Sequence, residues 1–213
     1  MPSRIIPFVN NQFYHVFNRG VEKRLIFENK RDYNRFIDTM IYYSIKNPVI
    51  RFSFKDRLHN QQNSNFLPLV EIVCYCLMPT HFHLLLKEIA KGGITLFMAK
   101  LSNSYTKYFN VKHNRVGPLL QGSFKAVRME DEEQLIHVSR YIHLNPLIDY
   151  LVKNLKDYKF SSYLEYLNGG SGVCKKEYVL SHFSSNLDYR SFILDQEDYG
   201  RTIKNLERLL LNV

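Results

Sequence analysis

Residues 69–88 constrain the fold more than any other stretch of the chain. LVEIVCYCLM (69–78) is a nearly continuous apolar run rich in strand formers. Such a run suits a central strand covered on at least one face. Pro79-Thr80 then makes a tight connection, and HFHLLLKE (81–88) reads as a second strand.

Further elements fall on either side. QFYHVFN (12–18) reads as a short strand, broken by Arg19-Gly20. Asp32 can cap a helix whose Tyr33, Phe36, Ile37, Met40 and Ile41 follow helical spacing, and Asn47-Pro48 ends it. Residues 51–67 are polar and irregular, an exposed insertion or long hairpin. Gly92-Gly93 precedes a helix carrying Ile94, Phe97, Met98, Leu101, Tyr105, Tyr108 and Phe109 along one face. A basic loop (110–122) and a strand (124–129) follow. Asp131-Glu132-Glu133 opens the next helix, where the dipole favours negative charge, and Pro146 stops it near Asn145.

The order strand, helix, strand, strand, helix, strand is the split βαβ, ferredoxin-like pattern of an α+β protein, with one more helix behind it. We expect an antiparallel sheet, a main domain over 1–150, and a mostly helical C-terminal extension over 151–213. Gly169-Gly170-Ser171-Gly172 reads as a linker inside that extension.

Composition narrows the function classes. Hydrophobic residues make up 45% and charged residues 23%, an ordinary globular balance, and no apolar run is long enough to span a bilayer. The first residues lack the apolar core of a secretory signal, so the expected location is cytoplasmic. The three cysteines, Cys74, Cys76 and Cys174, are an odd set with no CxxC pair, which argues against a disulfide framework. The net charge of +9 suits a polyanionic partner. The 15 Tyr and 15 Phe could offer stacking faces to unpaired bases, although most of them read as core.

His81 and His83 alternate on a strand, so both imidazoles share one face while Phe82 and Leu84 take the other. Two imidazoles on one face can hold a divalent ion; two partly buried histidines with ordinary partners are the alternative. On the helix after 131, Gln134, His137, Tyr141 and Asn145 lie within about 80° of one another. Leu135, Val138 and Ile142 form the adjacent apolar stripe. An amide oxygen from Asn145 could complete a His-His-amide site, a nitrogen and oxygen set suited to Mg²⁺ or Mn²⁺. A structural zinc site of Cys74, Cys76, His81 and His83 competes, but those cysteines fall mid-strand. Beside a bound divalent ion the Tyr141 hydroxyl could attack phosphorus, although a helix tyrosine with its ring packed and its hydroxyl wet is the alternative; Tyr105 and Tyr108 are rival nucleophiles, and both read as core.

At these residues the sequence resembles a known family. CLMPTHFHLLLKE resembles the HUH strand of the single-tyrosine insertion-sequence transposases, and especially of the REP-associated tyrosine transposases. SYTKYFNVKHNRVGPLLQGSFKA resembles their helix, basic loop and next strand, RYIHLNP their tyrosine segment, and DYKFSSYLEY the aromatic stretch after it. His15 with Arg19-Gly20, then Ile26-Phe27, is similar to their N-terminal strand. The ordered resemblance covers roughly 10–166. It implies His81 and His83 as metal ligands, Tyr141 as the catalytic tyrosine and Asn145 as the third, polar ligand. It further implies a 5′-phosphotyrosine intermediate on single-stranded DNA with palindromic or hairpin elements. Thr80 stands where members often carry Asn, and Leu120 where they often carry Trp.

Arg19, Lys107, Lys112, Arg115, Lys125 and Arg128, with Lys23 and Arg24, are candidates for a phosphate track, and Gln121-Gly122 for close backbone approach. A domesticated, non-cleaving binder of hairpin DNA or structured RNA is the competing reading. In the broader class the tyrosine helix can serve its own subunit or a partner's, which leaves a homodimer open.

Overall fold

A computed structural model describes residues 7–46, 52, 67–170, 172–197 and 200. The elements run β1 (Phe13–Arg19), α1 (Lys30–Tyr43), β2 (Val70–Met78), β3 (His81–Glu88), α2 (Gly93–Lys112), β4 (Lys125–Arg128) and α3 (Glu132–Ile148). Three short helices follow: α4 (Tyr163–Asn168), α5 (Glu177–Leu180) and α6 (Asn186–Leu194). The four strands form one antiparallel sheet in the order β2-β3-β1-β4, the expected α+β arrangement. Most of the insertion read over 51–67, and Asn47-Pro48, lie outside the described residues.

The sheet has two differently used faces. Phe82 points from β3 to α1, where its ring meets Phe36 at 5.1 Å, and Phe36 in turn meets Tyr105 of α2 at 5.0 Å. Val16, Leu84, Leu86, Phe97 and Leu101 are sealed in the same core. Truncating a ring such as Phe82 to Ala would cost about 3–5 kcal/mol. α3 packs across β2 and β3 on the opposite face.

The apolar 69–78 segment is not central in the sheet; β2 is its outermost strand. It is apolar nonetheless because the chain after α3 returns along its outer edge. Leu77 N–H donates to Phe160 O at 2.9 Å, and Ser162 N–H to Tyr75 O at 3.0 Å. The Tyr158 and Tyr166 hydroxyls reach the Leu77 and Val73 carbonyls at 2.6 and 2.8 Å. Those bonds satisfy a row of edge groups that would otherwise need water.

Three helix boundaries also differ from expectation. Asn29 caps α1, its side chain accepting from Arg31 N–H, while Asp32 sits inside the first turn and accepts from Glu28 N–H. α2 runs on to Lys112, taking the start of the basic loop. α3 passes through Pro146 to Ile148. Proline removes one amide from the ladder, but Asp149 N–H still reaches Asn145 O at 2.9 Å, so the last turn closes around the loss. Glu88 supplies a contact with no sequence signature. Its buried carboxylate accepts from Gly92, Gly93 and Ile94 N–H, placing negative charge at the start of α2. Among the described residues no helix is long and apolar enough to cross a membrane.

Candidate active site

Strand register builds the site. Across the β1–β3 ladder Arg19 faces His81 and Phe17 faces His83, and across β1–β4 Lys125 faces Phe17. Directly paired residues share a face, so Arg19, Phe17, His15, His81, His83 and Lys125 all lie on the α3 side of the sheet. The His81 and His83 rings are 5.0 Å apart between centroids and nearly perpendicular, at 89°.

α3 brings Tyr141 over this surface. Its ring stands 5.3 Å from that of His83 and 5.9 Å from that of His15, edge-on to both, and the residue is 46% exposed. Asn145 follows one turn later and is nearly buried; its Nδ2 donates to the Tyr141 carbonyl at 2.7 Å. That bond locks the amide against the helix that carries the tyrosine.

Outer partners hold both imidazoles. His83 Nδ1 lies 2.9 Å from His15 Nε2, and His81 Nδ1 lies 3.0 Å from Thr80 Oγ1. Burial pushes His15 down to about 4, so its ring is neutral near pH 7. Where each Nδ1 keeps this partner, a metal would be ligated through Nε2. A divalent ion fits this donor set if an oxygen joins from Asn145. Among the described residues no trio drawn from His, Cys, Asp and Glu is arranged to hold a metal, so an amide donor would be required. Cys74 and Cys76 are free thiols, fully buried, and burial raises both above the usual thiol range.

The rival tyrosines lie elsewhere. Tyr105 is sealed between the helices on the other face, its hydroxyl 2.5 Å from the Ile26 carbonyl, and burial pushes it far above the ordinary tyrosine range. Tyr108 donates to Asp32 Oδ1 at 3.0 Å.

The basic candidates separate into two groups. Arg19 and Lys125 are on the tyrosine side, and Gln121 joins them: its N–H donates to Arg19 O at 2.8 Å, and its Oε1 accepts from Arg19 Nε. Gly20 must be glycine here, because an added Cβ would run into the Arg24 carbonyl oxygen. Lys112 instead pairs with buried Asp32 at 2.5 Å, on the α1–α2 side. Burial would raise the Asp32 carboxyl, but hydrogen bonds from Lys112, Glu28 N–H and Tyr108 bring it below the ordinary range. Arg115 braces its own loop through Asn110 Oδ1 and the Pro118 carbonyl. Lys107 is exposed on α2, and Arg128 faces away from His83 and donates to Gln12 Oε1. Leu120 is a core residue, 8% exposed.

Sequence reasoning missed a buried hub on the other side of α3. His143 bonds Tyr189 Oη through Nδ1 and Ser162 Oγ through Nε2, both at 2.8 Å, tying α3 to α6 and to the segment along β2. Its signal was available: 200° of helix from Tyr141, it is a polar residue on the side that packs.

The chain belongs to a family of transposases: the family model described as "Transposase IS200 like" matches residues 9–145, from the approach to β1 through Asn145. Among solved structures, the fold is similar to the REP-associated tyrosine transposase determined bound to a REP hairpin. The TM-score is 0.57 at 14% identity, over 81% of this chain and 90% of that one. A candidate transposase of Deinococcus radiodurans R1 also matches, at 14% identity and TM-score 0.37, over 66% of this chain and 95% of that one. No curated protein matches the chain.

Proposed function

We propose that this transposase is a single-tyrosine enzyme of the HUH type that cleaves and rejoins single-stranded hairpin DNA. The observation that carries the reading is the Tyr141 ring held 5.3 Å from that of His83, on the same face as His81. His81, His83 and the Asn145 amide oxygen would hold Mg²⁺ or Mn²⁺. Bound there, such an ion would supply Lewis-acid polarisation of the scissile phosphate and would offset charge on its oxygens.

The chain's residues do the rest. Tyr141 Oη attacks phosphorus and loses its proton to solvent; the 3′-oxygen leaves and takes up a proton. One P–O bond forms as another breaks, giving a 5′-phosphotyrosine and a free 3′-hydroxyl. Attack by another 3′-hydroxyl reverses the exchange and joins strands without ATP. Arg19, Lys125 and Gln121 lie where they can receive the strand's phosphates beside the histidines. The hairpin substrate is supported by the similar fold of the transposase solved with a REP hairpin.

The test uses labelled single strands from both flanks of the gene with Mn²⁺ or Mg²⁺, resolved on a denaturing gel. A covalent protein–DNA adduct present in wild type and Tyr105→Phe but absent in Tyr141→Phe supports the assignment. Tight, metal-independent binding with no adduct from any strand would instead make the protein a non-cleaving binder.

A further inference from the structure

The two candidate ligands differ from ordinary paired histidines in what stands behind them. His15, from the neighbouring strand β1, puts Nε2 2.9 Å from His83 Nδ1, and the two ring centroids lie 5.1 Å apart with the planes 27° from parallel. His15 is itself held against Phe17, at 4.9 Å. Thr80, in the turn between β2 and β3, puts Oγ1 3.0 Å from His81 Nδ1. One partner comes from the sheet and the other from the turn, yet both address the same ring atom.

A neutral imidazole carries one proton, and the nitrogen that bears it cannot offer a lone pair to a metal. In water a free histidine side chain favours the proton on Nε2, which would block the atom that the metal reading uses. An acceptor at Nδ1 reverses that preference. We propose that His15 and Thr80 are positioning residues that hold the proton of His83 and His81 on Nδ1, so that both rings present Nε2 to the divalent ion. The proposal rests on the metal reading given above. His83 Nδ1–H donates to His15 Nε2, which obliges His15 to carry its own proton on Nδ1. The Thr80 hydroxyl accepts from His81 Nδ1–H. Such outer partners orient ligating imidazoles, and their loss typically weakens metal binding by about 10–100-fold.

Two measurements on the full-length protein test this. Long-range ¹H–¹⁵N spectra of the metal-free protein read the tautomers directly: His83 is expected with its proton on Nδ1 in wild type and largely on Nε2 in His15→Ala. Calorimetric titration with Mn²⁺ alone reads affinity in wild type, His83→Ala, His15→Ala and His15→Gln. His83→Ala should abolish binding and His15→Ala weaken it by about 10–100-fold. His15→Gln, which keeps an acceptor oxygen near the position of Nε2, should recover most of the loss. A role in packing alone would give no such rescue. Native affinity in His15→Ala, beside lost binding in His83→Ala, would overturn the proposal while leaving the metal reading standing. So would an Nε2 proton on His83 in wild type. A wild-type protein that takes up no Mn²⁺ would overturn the metal reading and this proposal together.

Discussion

Tyr141 and His83 come from a helix and a strand far apart in sequence, yet their rings meet edge-on at 83° with 5.3 Å between centroids. Edge-on contact is a favoured geometry for two rings. The pairing depends on α3 lying across β2 and β3, which makes the helix, and not a flexible loop, responsible for where the hydroxyl goes.

Tyr141→Phe should therefore keep the ring contact and lose the proposed nucleophile. Cleavage should be undetectable, while the thermal midpoint and the affinity for uncleaved DNA stay near wild type. Tyr105→Phe should do the reverse. It leaves the Ile26 carbonyl without its buried donor, costing about 1–3 kcal/mol of stability, and preserves cleavage per folded molecule. Denaturant titration alongside the gel assay separates the two.

Lys112 is expected to act on stability. It compensates a carboxylate that is fully buried, and breaking such a pair leaves an uncompensated charge. Because Lys112 is itself partly exposed and Asp32 keeps its bonds from Glu28 N–H and Tyr108, Lys112→Met should cost roughly 2–3 kcal/mol, below the range for breaking a fully buried pair. Strand binding at fixed folded concentration should be unchanged. A loss of affinity without a loss of stability would return Lys112 to the phosphate track.

The salt dependence of DNA binding should distinguish the two groups of basic residues. Each phosphate contact on a single strand contributes about 0.7 to the slope of log affinity against log salt. Arg19→Ala and Lys125→Ala should each lower the slope by about that amount. Lys107→Ala and Arg128→Ala, on the far side of the sheet, should leave it unchanged. Fluorescence anisotropy between 50 and 300 mM salt, on the order of the range where counterion release is resolved, gives the comparison.

Acid should destabilise the fold through its buried histidines. Burial lowers His143 from 6.5 to about 3 and His15 from 6.5 to about 4. Between those values the unfolded chain binds protons that the folded chain does not, so stability is fully present above pH 6.5 and lost as pH falls. Each histidine contributes a slope approaching about 1.4 kcal/mol per pH unit. Urea midpoints at pH 7 and pH 5 should show the loss, and His143→Gln should flatten it.

Much of this was legible in the sequence because it is periodic. Alternation placed His81 and His83 on one face, and the helical repeat put Tyr141 and Asn145 one turn apart. What escaped depends on contacts between distant segments. The apolar 69–78 run looks central whether its second neighbour is a strand or a returning loop, and only the position of residues 158–166 decides. Lys112 looks like any basic residue in a basic loop until α2 extends to place it over Asp32. His15 reads as one more strand residue until register sets it beside the His81–His83 pair.

Ser162 meets two elements directly and a third through His143. Its N–H and hydroxyl face the backbone of Tyr75 in β2, and the same hydroxyl takes His143 of α3, whose other nitrogen reaches Tyr189 of α6. A chain cut back to residue 150 would bare the outer edge of β2, an open template for adding strands from other molecules. It would also strand a buried imidazole with no partner on either side. Anyone grafting the histidine–tyrosine half onto another protein as a portable module must carry the chain on through residue 194, because the piece that looks appended is what finishes the sheet.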